Sequence, residues 1–150
     1  MIAHRKQKKI KSIKAYMTPF PYKVEADTPV QEAQAMMKEH DIRHLPVSND
    51  GKLVGVISER DINWALDPVF DLRRNMDLKV ENIYRKDIYK VDFNEPVDVV
   101  LKNMAHQHIG SVLVLKDDKL VGIFTTVDAC DSFAEHLREG MPHSEGSDLA

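Results

Sequence analysis

A serine and an aspartate three residues apart, Ser58 and Asp61, stand where an apolar run gives way to a polar stretch with helical character. Such a pair suits a nucleoside or nucleotide. A hydroxyl at the start of a helix can donate to a phosphate, and the first helical turn offers N–H groups and a positive end that favour anions. An aspartate one turn further on only accepts hydrogen bonds, which matches the two hydroxyls of a ribose. Both residues also have a plain structural use. Ser58 can cap the helix, and Asp61 can serve as a first-turn acid that complements the helix dipole.

The pair occurs twice. Gly55-Val-Ile-Ser-Glu-Arg-Asp61 returns as Gly122-Ile-Phe-Thr-Thr-Val-Asp128, and Lys-Leu-Val precedes each copy, at 52–54 and 119–121. The spacing that separates Gly55 from Gly122 also separates Pro29 from Pro96 and Val24 from Val91, without a gap. A repeat of this period is a duplicated supersecondary unit. Most aligned residues differ between the copies, yet Ser58/Thr125 and Asp61/Asp128 persist. Two related sites explain that better than two coincidental caps.

The elements that must position these residues recur in the same order. Tyr22–Glu25 and Tyr89–Asp92 alternate as short strands do. Thr28-Pro29 then opens a helix, Thr as cap and Pro at the first helical position. Val30, Ala33 and Met37 share one face of it. In the second copy Val97, Val100, Leu101 and Met104 form a fuller stripe. Paired strands follow, His44–Ser48 with Leu53–Ile57 around Asp50-Gly51, and Val112–Leu115 with Leu120–Phe124 around Asp117-Asp118. Asp-Gly is a strong hairpin signal, and the second turn, without glycine, is expected to be looser. A helix closes each unit: Arg60–Leu66, and one carrying Cys130, Phe133, Ala134 and Leu137 on one stripe. The fold class is therefore α+β, built from two β-α-β-β-α units. One unit of this size has a marginal core, so two are expected to pack together through their sheets.

The expected organisation is a basic arm over 1–12, a first repeat over 13–67, a connection over 68–79, a second repeat over 80–138 and a flexible tail over 139–150. Composition bounds the function. With 43% hydrophobic and 30% charged residues the chain is that of a soluble globular protein. A net charge of −3 gives no overall nucleic-acid footprint. Apolar runs of about five residues are far too short to cross a bilayer. The basic run Arg5–Lys14 reads as a solvated arm or first helical turn rather than a phosphate or lipid contact, since no aromatic residues interleave it. It has no apolar stretch behind it and is not expected to act as a secretory signal. The single cysteine, Cys130, rules out a disulfide within the chain and suits a reducing, cytoplasmic setting. Its place on an apolar stripe reads as a small core residue.

Taken together, Tyr16-Met17-Thr18-Pro19, Ile42-Arg43-His44-Leu45-Pro46-Val47, Lys52–Asp61 and Lys119–Asp128 resemble a tandem cystathionine-β-synthase (CBS) domain pair, or Bateman module, over roughly Ile13 to Leu137. The resemblance implies two units joined back to back in a pseudo-two-fold pair, with two clefts between them. It implies binding of an adenosine-containing ligand (AMP, ADP, ATP or S-adenosylmethionine) and regulation of a partner protein, with no chemistry of its own and no required cofactor. It also implies a disc-shaped homodimer. Carried over residue by residue, Asp61 and Asp128 would hold ribose, and Ser58 and Thr125 would contact ribose or phosphate. Arg43, with His44 beside it, would supply a cation to phosphate. The counterparts of Arg43 and His44 are Gly110 and Ser111, so the clefts are expected to differ. The alternative is a dimerisation module with empty clefts.

Other residues offer less. His106 with His108, and His40 with His44, lack the further partners that a metal needs, and read as surface or helix-end histidines. No spacing suggests a nucleophile with its base, and no glycine-rich phosphate loop is present.

Overall fold

The computed structural model describes residues 9–70 and 77–140. Most of the N-terminal arm, the middle of the connection and the tail from residue 141 lie outside the described residues. The strands are β1 (Thr18–Pro19), β2 (Val24–Glu25), β3 (His44–Asn49), β4 (Lys52–Ser58), β5 (Lys90–Asp92), β6 (Ser111–Lys116) and β7 (Lys119–Thr125). The helices are α1 (Val30–Glu39), α2 (Glu59–Ala65), α3 (Val97–Gln107) and α4 (Thr126–Gly140). The β-α-β-β-α order appears in both repeats. One sheet runs β2-β3-β4 and the other β1-β7-β6-β5. In each, the short first strand of the repeat lies parallel to the second, and the next two form an antiparallel hairpin. Both hairpins carry an irregularity at the same place, after Val47 and after Val114. The molecule is an α+β pair of repeats related by a pseudo-two-fold and packed sheet to sheet.

The repeats exchange the segments that precede them. β1 does not join the first repeat; it pairs with β7 of the second, Thr18 opposite Ile123. Its counterpart, Arg85, bridges Val56 of the first. Ser12 bridges Pro96, and Lys79 bridges Pro29. Each of these contacts in one repeat thus has its equivalent in the other, at the spacing of the sequence repeat. Ile13 is fully buried in the second core and Val80 in the first. The repeats are contiguous along the chain but interleaved in space, and the end of the basic run, from Lys11, is docked and leads into a helical turn over Ile13–Ala15.

The exchange also changes how α1 and α3 begin. Thr28 does not cap α1: the N-cap is Pro29, which makes no side-chain cap bond. The first helical amide, Val30 N–H, instead donates to Leu78 O at 2.9 Å, and Val97 N–H donates to Lys11 O at 3.0 Å. The exchanged segments satisfy helix-end donors that a side chain would otherwise have to reach.

Packing follows the apolar periods in part. α1 buries Val30, Ala33 and Met37 as expected. The fuller stripe on α3 buries only Val100 and Met104, and Leu101 stays 39% exposed. The second hairpin turn is as tight as the first. Lys116 pairs with Lys119 just as Asn49 pairs with Lys52. Asp117 and Asp118 adopt φ of 50° and 60°, a left-handed conformation that aspartate tolerates without glycine. α4 buries none of its residues, and Cys130 is exposed rather than core. No helix among the described residues is long and apolar enough to cross a membrane.

Candidate functional site

β4 hands over to α2 at Ser58, and the handover is a closed hydrogen-bond ring. Asp61 N–H donates to Ser58 Oγ at 3.1 Å. Ser58 returns two bonds to Asp61 Oδ2, from its N–H at 3.2 Å and its hydroxyl at 2.8 Å. The plain structural use of the pair is therefore realised as a capping box. Glu59 N–H, another helix-end donor, is taken by Arg43 O at 2.8 Å. Three of the amides at this helix start, those of Ser58, Glu59 and Asp61, are already engaged, and so is the Ser58 hydroxyl. Positive charge at this place is carried by side chains as well as by the helix start.

Arginines supply it. Arg43 and His44 enter from the start of β3, and His44 pairs in register with Ser58. Arg85, which no sequence argument singled out, reaches over from the exchanged segment and places Nε 3.1 Å from Asp61 Oδ1. Its backbone is pinned on both sides by Val56, through Arg85 N–H to Val56 O at 2.8 Å and Val56 N–H to Arg85 O at 3.0 Å. A signal for it did exist: its counterpart in the other copy is Thr18, in Met-Thr-Pro, so an arginine replaces a small polar residue beside the aspartate.

These residues border one cleft between the repeats, of about 740 Å³. Arg43, His44, Ser58 and Asp61 come from the first repeat, and Tyr89, Ile109, Gly110 and Ser111 from the second. Val56 and Ile88 add apolar wall. The volume falls within the range of small-molecule sites. Gly110 borders this same cleft, and a β-carbon on it would meet His44 Nε2 at 3.7 Å. Its lack of a side chain therefore helps open the first cleft, instead of marking only the second. The half-buried His44 is held below its ordinary value of 6.5, mainly by burial; Arg43 pushes the same way and Asp61 pulls back.

Thr125 and Asp128 repeat the ring at β7–α4. Thr125 N–H donates to Asp128 Oδ2 at 2.9 Å, and Asp128 N–H to Thr125 Oγ1 at a longer 3.4 Å. They do not border the first cleft. The equivalents of Tyr89 and Gln107, which do, are Tyr22 and His40. Here those two rings stack with centroids 3.8 Å apart and planes 12° from parallel. A further cavity of about 540 Å³ lies elsewhere, between the two hairpin turns. Among the described residues no three His, Cys, Asp or Glu side chains gather as a metal site would require.

Comparison with known proteins agrees with this architecture. The sequence profile of the CBS domain matches residues 10–67 and 80–135. A CBS domain-containing protein of Dictyostelium discoideum is 29% identical over 141 residues, which span 88% of this chain and 97% of that protein. L-aspartate semialdehyde sulfurtransferase of Methanocaldococcus jannaschii is 30% identical over 77% of this chain, but the match spans only 22% of that enzyme. Among solved structures, a CBS domain pair in complex with 5′-methylthioadenosine and S-adenosyl-L-methionine superposes with a TM-score of 0.75. It is 29% identical and covers 85% of this chain and 99% of its own. Two matched domains, two interleaved repeats and one cleft between them lead to one conclusion: the chain belongs to the CBS domain family, as a tandem pair.

Proposed function

We propose that this CBS pair is a regulatory module that binds an adenosine-containing ligand (AMP, ADP, ATP or S-adenosylmethionine) in the cleft beside Asp61 and thereby modulates a partner protein. The observation that carries the reading is the convergence of Asp61, Arg43 and Arg85 on one cleft of about 740 Å³. An acceptor-only carboxylate suits a ribose diol, two guanidiniums suit a phosphate or carboxylate, and Val56 and Ile88 offer apolar wall to a base. The similar CBS pair bound to two adenosyl compounds supports the ligand class. In this reading Asp61 holds ribose, Arg43 meets the anionic group, and His44 and Ser58 shape and brace the pocket. Thr125 and Asp128 form the weaker, second site.

A thermal-shift panel of AMP, ADP, ATP, S-adenosylmethionine, GTP and NADH tests this, because a ligand that binds only the folded state raises the melting temperature. A rise of several degrees with at least one adenosyl compound, and a smaller one with GTP, is expected. No shift with any of them would overturn the reading. It would leave the module as a dimerisation unit, a role that the exposed Val127, Phe133 and Leu137 of α4 would serve.

A further inference from the structure

The carboxylate of Asp61 is almost full. Two carboxylate oxygens offer about four lone-pair positions. Ser58 N–H and Ser58 Oγ–H occupy two of them on Oδ2, and Arg85 Nε takes one on Oδ1. One position remains, whereas a ribose diol needs two. Something must leave when a diol arrives. The Ser58 bonds belong to the capping box, and breaking them weakens the start of α2. Arg85 is the yielding partner: its side chain is 66% exposed, against 13% for Asp61, and its backbone stays fixed to Val56 when the side chain moves.

We infer that Arg85 couples the two halves of ligand recognition, so that the first cleft takes ribonucleotides bearing an anionic group in preference to uncharged nucleosides. The inference rests on the reading of Asp61 as the ribose acceptor. A nucleoside that claims Asp61 takes from the Arg85 guanidinium its carboxylate partner and offers no other, in a cleft where Arg43 and Arg60 stand with Glu59 and Asp87. A nucleotide that claims Asp61 offers the displaced guanidinium a phosphate in exchange, through a charge-assisted contact. The aspartate and the arginine thus form a latch that a bare nucleoside opens at a loss and a nucleotide opens at little cost. The second repeat has no such latch, because Thr18 stands in place of Arg85.

The test is calorimetric titration with AMP and adenosine of the parent, of Arg85→Gln, and of Arg85→Thr, which carries the residue of the other repeat. The parent should bind AMP at least about tenfold more tightly than adenosine. In both variants AMP should weaken about tenfold while adenosine tightens a few-fold, and the preference should collapse. The opposite signs distinguish a latch from a residue that merely holds Asp61 in place, whose loss would weaken both ligands together. An unchanged AMP-to-adenosine ratio would overturn the inference, as would Arg85 passing to the nearby Asp87 instead of the phosphate, which gives that same result. A measurement on the parent alone guards against variants that fail to fold. With 2′-deoxy-AMP and 2′-deoxyadenosine the phosphate advantage should shrink, because one hydroxyl fewer no longer evicts Arg85. An advantage of equal size in both sugars would count against the latch. A parent that binds neither AMP nor adenosine would overturn the nucleotide reading itself, whereas binding with an unaltered ratio would overturn only the role of Arg85.

Discussion

The ring of Tyr84 lies against Gly55 so closely that a β-carbon on the glycine would collide with the ring and with the carbonyl oxygen of Arg85. The glycine is there for close approach of the exchanged segment, which its missing side chain permits. In the other repeat the neighbour of Gly122 is the side chain of Met17, with its sulfur nearest. A thioether can swing aside; a bonded backbone carbonyl cannot. Gly55→Ala should therefore cost about 1–3 kcal/mol and Gly122→Ala distinctly less. Urea unfolding midpoints of the two variants give the comparison, and equal losses would contradict it.

That relationship also shows what a sequence can and cannot disclose. The internal repeat, the hairpins and the Ser/Thr–Asp pairs were legible because local chemistry dictates them: alternation, turn residues and capping need only near neighbours. The exchange of Ile13 and Val80 was not, because the packing partners of both lie far away along the chain. Arg85 was missed for the same reason, since only the exchange brings it to Asp61. Asp117-Asp118 misled because glycine is the usual, but not the sole, residue for a left-handed turn. Cys130 misled because a helical stripe shows that a face is apolar without showing what covers it.

His44 makes stability depend on pH. Its imidazole in the folded protein is held below the ordinary 6.5, first by burial and then by Arg43, against the pull of Asp61. Above that value both folded and unfolded chains carry it neutral, and it contributes nothing to the pH dependence. As pH falls below 6.5 the unfolded chain takes up the proton first, so stability is lost until the folded-state value is passed. His44→Gln should flatten the stability curve just below about pH 6.5 relative to the parent. Parallel curves for the two proteins across that window would show that His44 plays no part.

Phe133 and Val127 are 62% and 60% exposed on α4, with Leu137 at 47%. Apolar side chains spaced along one helix and left open to water are a surface that association would cover. A second copy, meeting the first about a two-fold axis, would bury both sets at once. The parent is expected to run as a dimer in sedimentation at tens of micromolar. Phe133→Glu should shift it to monomer, because two charges would meet at the interface. A parent of monomer mass, or a variant that remains dimeric, would exclude this face.

Arg43 and Asp61 should differ in what their loss does. In the proposed reading Arg43 meets the ligand only through its charge, so Arg43→Ala should weaken AMP about tenfold or more and leave adenosine nearly unchanged. Asp61→Ala removes the acceptor of both ribose hydroxyls, so AMP and adenosine should both weaken, by about 2–4 kcal/mol. It also removes half of the capping box, at a cost of about 1 kcal/mol to the fold, since Ser58 Oγ still accepts from the residue-61 amide. Asp61→Asn keeps one oxygen for the ring and one donor that faces the ligand wrongly. It should restore most of the stability and little of the affinity. Far-UV circular dichroism and melting curves read the first property, and titration with both ligands reads the second. If Asp61→Ala bound AMP as tightly as the parent, the ribose would be held elsewhere, and Asp61 would be no more than the acid that closes the first turn of α2.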